Sequence, residues 1–129
     1  MKEKFFVALR ILFGLMLVTF GLNGFLQFMP MPTPPPEGAA YLGALAGTGY
    51  FFPVLKATEV LVGAALLSNR FVALALVVMA PVSIHILLYH IFLDTSGLIM
   101  ALFVFGANLG LGLCRLSVYR SLLSPKPNI

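Results

Sequence analysis

Four long apolar stretches restrict the fold of this chain more than any other feature of its sequence. They cover residues 7–28, 50–68, 71–93 and 97–116. A helix needs about 20 predominantly apolar residues to cross a hydrocarbon core of about 30 Å, and each stretch is close to that length. A membrane barrel would instead show short segments of alternating polarity. The sequence therefore predicts an all-α membrane protein, a bundle of four transmembrane helices that forms one domain over residues 1–129.

The small number of charged residues supports this solvent assignment. Only 9% of the residues are charged, whereas soluble domains carry about 25%, so the chain lacks the polar surface that a water-soluble domain needs. The N-terminal segment resembles a signal peptide in its basic start and apolar run. No small-residue cleavage pattern follows, and we expect the segment to be retained as the first span.

The distribution of basic residues predicts the orientation of the bundle. With four spans, seven of the eight Lys and Arg residues fall on one side of the membrane, namely Lys2, Lys4, Arg10, Arg70, Arg115, Arg120 and Lys126. The positive-inside rule then places both termini in the cytoplasm. The net charge of +4 follows from this topology and does not indicate nucleic-acid binding.

The connection between the first two spans is the longest loop. A proline cluster over residues 29–38 cannot remain helical and favours extended geometry. Residues 39–50 are weakly apolar and too short to span. They predict a short interfacial or re-entrant helix over the outer mouth of the bundle.

Lys56 and Glu59 lie inside the second apolar stretch, which carries no other charge. Their i, i+3 spacing places them on one helix face, where opposite charges can neutralise each other. Ionisable residues in a bilayer are costly, about 2.5–3.5 kcal/mol each on insertion scales, and normally face the bundle interior. The pair predicts a functional pocket, although Lys56 could instead extend outward to the headgroups.

The remaining polar side chains of the spans also map to the outer half of the predicted bundle. Asn23 and Gln27 share one face of the first helix. In the third helix, Pro81, His85 and Tyr89 share one face at i, i+4 and i+8. Asn108 lies near the middle of the fourth helix, at the floor of this polar group. Interhelical hydrogen bonding is the alternative role for the three amides, and a structural hydrogen bond is the alternative for His85.

Small residues in the helices predict where neighbouring helices approach closely. Gly63 shares a face with the charged pair, and Gly106 and Gly110 form a small-xxx-small surface on the fourth helix. We therefore expect glycines on both sides of the polar group.

Several chemistries do not fit these residues. His85 and His90 point about 140° apart on one helix and cannot both bind one haem. Zinc would lack ligands, so we expect no metal, and the lone Cys114 excludes an internal disulfide. A proton-active pocket remains, in which Glu59 and His85 exchange a proton and Lys56 stabilises negative charge. Such a pocket could supply the donor and acceptor that a quinone head group requires.

The chain resembles the DoxX-like family of small bacterial integral membrane proteins. The resemblance covers nearly the whole chain and rests on residues 10–14 and 21–25, the proline-rich loop, the block 56–67 with its Glu-x-x-x-Gly-x-x-Leu-Leu pattern, Pro81 with His85, and the basic end with Arg115, Tyr119 and Arg120. It implies a four-helix bundle in the bacterial cytoplasmic (inner) membrane and a link to membrane redox and thiol-stress systems. The family name comes from a subunit of an archaeal thiosulfate:quinone oxidoreductase. Distant disulfide-generating relatives use cysteine pairs, which this chain lacks.

The leading hypothesis is an accessory or quinone-interacting subunit of a membrane redox system. Its expected partners are the lipid bilayer, a quinone, a redox partner protein and further copies of the chain in a homo-oligomer. The alternatives are a non-catalytic membrane module that binds a protein or small lipid, and a small oligomeric transporter, and catalysis by the chain itself stays open. The candidate catalytic residues are Glu59, His85 and Lys56, and the candidate cofactor-binding residues are Asn23, Gln27, Tyr89 and Asn108.

Overall fold

The computed structural model describes residues 1–126, and all its regular structure is helical. A single 3₁₀ turn, Thr95–Gly97, precedes the last helix. The α-helices, in chain order, are α1 (Lys2–Leu26), α2 (Pro36–Ala46), α3 (Phe51–Ser68), α4 (Val72–Phe92) and α5 (Leu98–Leu113).

Four of these helices are long and apolar enough to cross a membrane: α1, α3, α4, and α5 together with its 3₁₀ turn. The prediction of an all-α, multi-pass membrane protein is confirmed at this level. The observed helices differ from the predicted spans mainly at the start of α1 and at the end of α5. Helix α1 already begins at Lys2, and α5 ends at Leu113 because the Arg115 N–H turns back to the Gly112 carbonyl in a tighter i, i+3 bond.

Glycines bring the backbones of α1 and α3 into close contact. A Cβ atom added at Gly63 would lie 2.6 Å from Val18 Cγ2 and 2.8 Å from the Gly14 carbonyl oxygen. A Cβ at Gly21 would lie 2.7 Å from Val60 Cγ2. The sequence-based expectation for Gly63 therefore holds, since only a residue without a side chain permits this approach.

The glycines of α5 behave differently from this expectation. A Cβ at Gly106 or Gly110 would meet no atom within 4 Å among the described residues. The expected flanking of the polar group by glycines on both sides is therefore wrong within the chain. The buried residues of α5 in the core include Val104, Ala107 and Leu111.

The core between the four long helices is apolar. Its completely buried members include Phe13, Leu66, Met79 and Leu111. Many large apolar side chains on the outside are exposed, among them Ile99 at 87%. Such a surface suits lipid rather than water, since lipid tails are as apolar as these side chains.

Two polar side chains bind backbone carbonyls at the end of the bundle that holds the α3–α4 turn. The Arg10 guanidinium donates to the Leu66 carbonyl in the last turn of α3, where a cation is favourable. The Tyr119 hydroxyl donates to the Ala73 carbonyl at 2.7 Å. Burial raises the pKa of Tyr119 above its ordinary value, against the opposing effect of Arg115, which keeps the phenol a donor at neutral pH.

Helix α2 lies within the first loop, between the proline segment and α3. Pro36 occupies its first turn, where the missing N–H costs nothing, and Glu37 follows it. Its location at the membrane interface stays a prediction.

The α1–α3 interface generates a stability prediction. We expect Gly63→Ala to lower the free energy of unfolding of the detergent-solubilised protein by about 1–3 kcal/mol, because the new methyl group overlaps Val18 and the Gly14 carbonyl. Gly106→Ala is the matched control: it also lies within a long helix, but its methyl group meets open space, and we expect no loss. Thermal unfolding followed by circular dichroism measures both, and equal behaviour of the two variants would contradict this account of the interface.

Candidate functional site

A cavity of about 630 Å³ lies beneath α2 and between the long helices. We call it the apolar chamber, because most of its wall is hydrophobic. All five helices contribute side chains to it, for example Phe20, Leu42, Leu55, Ile86 and Val104. Of the candidate site residues, it brings together Lys56, Glu59, His85 and Tyr89.

Lys56 and Glu59 form an ion pair at the wall of the apolar chamber. The Lys56 Nζ lies 3.2 Å from Glu59 Oε2. The Glu59 side chain is only 6% exposed, and that of Lys56 is 23% exposed. The structure thus answers the question whether Lys56 extends outward or pairs with Glu59: the two charges neutralise each other inside the protein, which a low-dielectric environment requires.

The Lys56 side chain fits between α1 and α3 because α1 has a glycine, Gly24, at the point where the side chain passes. Its methylene groups cross directly over Gly24 of α1, where any side chain would collide with them. The lysine stem is therefore held between two helices, and its ammonium group is directed to Glu59.

His85 is held by α2 rather than by α3. The Tyr41 hydroxyl lies 2.8 Å from His85 Nε2, and the two rings stack with centroids 5.8 Å apart. In the tautomer that carries its proton on Nδ1, Nε2 accepts from the phenol. Tyr41 also stacks on Tyr89, at 6.1 Å between ring centroids. These three rings form a continuous aromatic wall on one side of the chamber.

Tyr41 is a candidate functional residue that the sequence analysis missed. It lies in the short helix of the first loop, whose placement over the bundle was expected, but no pairing partner could be assigned from spacing. The sequence feature that could have identified Tyr41 is its type, an aromatic residue with a hydrogen-bonding hydroxyl, in a segment that was expected to cover the polar cluster. Its contact with His85 links residues 44 positions apart in the chain.

Asn23 and Gln27 lie outside the apolar chamber, beside a second cavity of about 630 Å³. We call this cavity the vestibule; its wall consists of Phe20, Asn23, Gly24, Gln27, Phe28, Met29, Pro30, Met31 and Lys56. The structure therefore separates these two amides from Glu59 and His85. Lys56, Phe20 and Met31 line both cavities.

The Asn23 carboxamide is occupied by the backbone of Met29. Its Oδ1 accepts from the Met29 N–H at 2.7 Å, and its Nδ2 donates to the Met29 carbonyl at 3.2 Å. The residue thus shapes the chain as it leaves α1. Gln27 is the residue that ends α1, with a left-handed backbone at φ 52°.

Asn108 is buried in the core and lines neither the apolar chamber nor the vestibule. Its Nδ2 donates to the Leu76 carbonyl at 3.3 Å. Its Oδ1 is buried and accepts no hydrogen bond from residues 1–126. This geometry supports a contact between α4 and α5, and it places Asn108 one turn away from Val104 of the chamber wall.

The described part of the chain contains no cluster of three or more His, Cys, Asp or Glu residues that could hold a metal ion. Cys114 is a free, exposed thiol at the end of α5. The side-chain pairs that the structure places at the apolar chamber are Lys56–Glu59 and Tyr41–His85.

Comparison of the chain with protein-family models, curated proteins and solved structures gives no match. The resemblance to the DoxX-like family stays a prediction from the sequence motifs.

The position of α2 depends on the tyrosine–histidine contact, and this can be tested. We expect Tyr41→Phe to retain the ring stacking but lose the hydrogen bond, a loss of about 1 kcal/mol. Hydrogen exchange over residues 36–46 should become faster, whereas exchange in α3 should not change. Tyr50→Phe, which removes an exposed phenol on the same cavity, is the control and should leave both unchanged. Unaltered exchange in the Tyr41→Phe protein would show that the bond does not hold α2 in place.

Proposed function

We propose that this chain is a multi-pass protein of the bacterial cytoplasmic membrane that binds a quinone in the apolar chamber, as an accessory subunit of a membrane redox system. One observation supports this most strongly. Two polar pairs, Lys56–Glu59 and Tyr41–His85, face the same largely apolar cavity from different helices.

The dimensions and chemistry of the chamber suit a lipophilic ring with polar substituents. Ligand pockets commonly enclose about 300–1,000 Å³, with apolar walls and a few placed polar groups. The ring would pack against the apolar wall, and one carbonyl oxygen would accept a hydrogen bond from the Lys56 ammonium. In the tautomer in which His85 Nε2–H donates to the Tyr41 oxygen, the Tyr41 hydroxyl would donate to the other carbonyl oxygen. A bound quinone supplies two-electron chemistry coupled to the uptake of two protons.

The residues of the chamber provide for the proton requirement. A carboxyl group and an imidazole both exchange protons readily. Glu59 lines the chamber from α3, and His85 lines it from α4. Lys56 compensates the charge of Glu59, so the pair can occupy a site of low polarity. Tyr41 orients the His85 ring. Electrons would come from the redox partner protein to which this subunit is attached.

The competing proposal is a non-catalytic membrane module that binds a partner protein. The groove between α1 and α5 favours it, because Gly106 and Gly110 lie open there and a partner helix could approach closely. A transporter would need several copies of the chain to form a path.

Quinone retention tests the leading proposal. The protein is purified from its native membrane in mild detergent, and bound organic molecules are extracted and quantified by chromatography. We expect quinone with the wild-type protein and about tenfold less with Glu59→Gln, because the variant removes the proton-exchanging carboxylate and leaves Lys56 beside a neutral amide that binds it less strongly.

Glu3→Gln is the matched control, since it makes the same chemical change at an exposed residue outside the chamber. Its quinone content should equal that of the wild type. An empty wild-type protein, or equal quinone content in all three proteins, would leave the partner-binding module as the better proposal.

The proposed orientation, with both termini cytoplasmic, can be tested through the native thiol. Cys114 is exposed just beyond α5, so a membrane-impermeant maleimide should label it in inverted vesicles and not in intact cells. In a Cys114→Ser background, Ala44→Cys on the exposed side of α2 should show the opposite pattern. Labelling of Cys114 from outside intact cells would reverse the proposed topology.

A further inference from the structure

The vestibule has the features of a second binding site. It lies at the end of α1, next to the apolar chamber, and Lys56 forms part of the wall between the two. Among residues 1–126, Lys56 is the only charged residue that lines the vestibule, and its partner Glu59 lines the apolar chamber instead. The ion pair as a whole is neutral, and it presents its positive end to the vestibule.

The Lys56 ammonium has hydrogen-bonding capacity left for a ligand. An ammonium group carries three protons. Among residues 1–126 it donates one hydrogen bond, to Glu59. Its side chain is 23% exposed and lines both cavities. An oxyanion in the vestibule could accept hydrogen bonds from the remaining protons without displacing Glu59.

The wall of the vestibule is held in place by hydrogen bonds. The two bonds between Asn23 and the Met29 backbone fix the chain where it leaves α1. Gln27 ends the helix in its left-handed conformation, and its N–H bonds to the Asn23 carbonyl at 2.9 Å. The cavity is therefore built from ordered backbone, and the lysine stem is confined over Gly24.

The surroundings of the vestibule are strongly apolar. Two large apolar side chains of its wall are exposed, Phe28 at 52% and Met31 at 58%. In a membrane these side chains contact acyl chains. A molecule that fits both surfaces has an anionic head for Lys56 and hydrocarbon chains for this apolar rim.

We propose that the vestibule binds an anionic phospholipid, with a phosphate oxygen accepting hydrogen bonds from Lys56 and the acyl chains packed on the apolar rim formed by Phe28 and Met31. This site is separate from the quinone site and does not depend on it. Because Lys56 also pairs with Glu59, the bound lipid shares its cation with the apolar chamber. Lipid occupancy thus adjusts how strongly Lys56 compensates the Glu59 charge.

Native mass spectrometry of the full chain tests this proposal. The protein is delipidated in detergent and titrated with equal amounts of phosphatidylglycerol and phosphatidylcholine. We expect wild type to retain phosphatidylglycerol preferentially. The decisive pair is Glu59→Gln and Lys56→Met/Glu59→Gln, because neither leaves a buried carboxylate without its partner.

Glu59→Gln keeps the Lys56 side chain and should keep the preference for phosphatidylglycerol, because the lipid phosphate then supplies the negative charge that compensates the ammonium group. The double variant should bind this lipid about fivefold more weakly, as expected when the protein loses one cation that contacts an anionic lipid head group. Arg70→Gln removes an exposed cation at the α3–α4 turn, away from the vestibule, and should behave as wild type. Inorganic phosphate at the same concentration should not displace the lipid, because it lacks contacts with the apolar rim.

Equal retention of the two lipids by wild type, or an undiminished preference in the double variant, would overturn the proposal. Displacement by inorganic phosphate would also overturn it, since the site would then recognise a free anion. Quinone extraction from Glu59→Gln reports on the apolar chamber separately. A failure of one site is therefore distinguishable from a failure of the other.

Discussion

The exclusion of water from a membrane interior is the constraint on which the rest of this structure depends. An unpaired polar group in that region costs several kcal/mol, which favours partners within the protein, and the buried Asn108 Oδ1 is an exception among residues 1–126. The ion pair of Lys56 with Glu59, the bond of Tyr41 with His85 and the amide of Asn23 on Met29 all provide such partners. Residues of these pairs also line the two cavities, so the contacts that satisfy the polar groups also help to form the candidate binding sites.

Close helix packing gives these polar groups their positions. Gly63 and Gly14 let α3 approach α1, and this approach brings Lys56 across Gly24. The lysine then lies where the apolar chamber and the vestibule adjoin. A larger residue at any of these glycines would move the cation. The functional proposals for both cavities consequently depend on an interface that contains few polar atoms itself.

Local spacing was sufficient to identify part of the site. The i, i+3 relation of Lys56 and Glu59 predicts their shared face, and the i, i+4 relation of His85 and Tyr89 predicts theirs, because an α-helix repeats every 3.6 residues. Spacing does not reveal which residues of different helices meet. Tyr41 was missed for this reason. Asn23 and Gln27 were assigned to the same pocket as Glu59, although the structure places them beside a separate cavity.

The amino-acid sequence alone determined that this chain forms four apolar helices and that Lys56 and Glu59 share one helix face, because both depend on residues close together in the chain. Tertiary structure decided that α2 contributes Tyr41 to His85, that Gly63 rather than Gly106 is covered by a neighbouring helix, and that Lys56 lies between two cavities. The physical reason is that side-chain contacts between helices depend on their rotation and separation. Those quantities result from packing over the whole bundle, and local periodicity does not specify them.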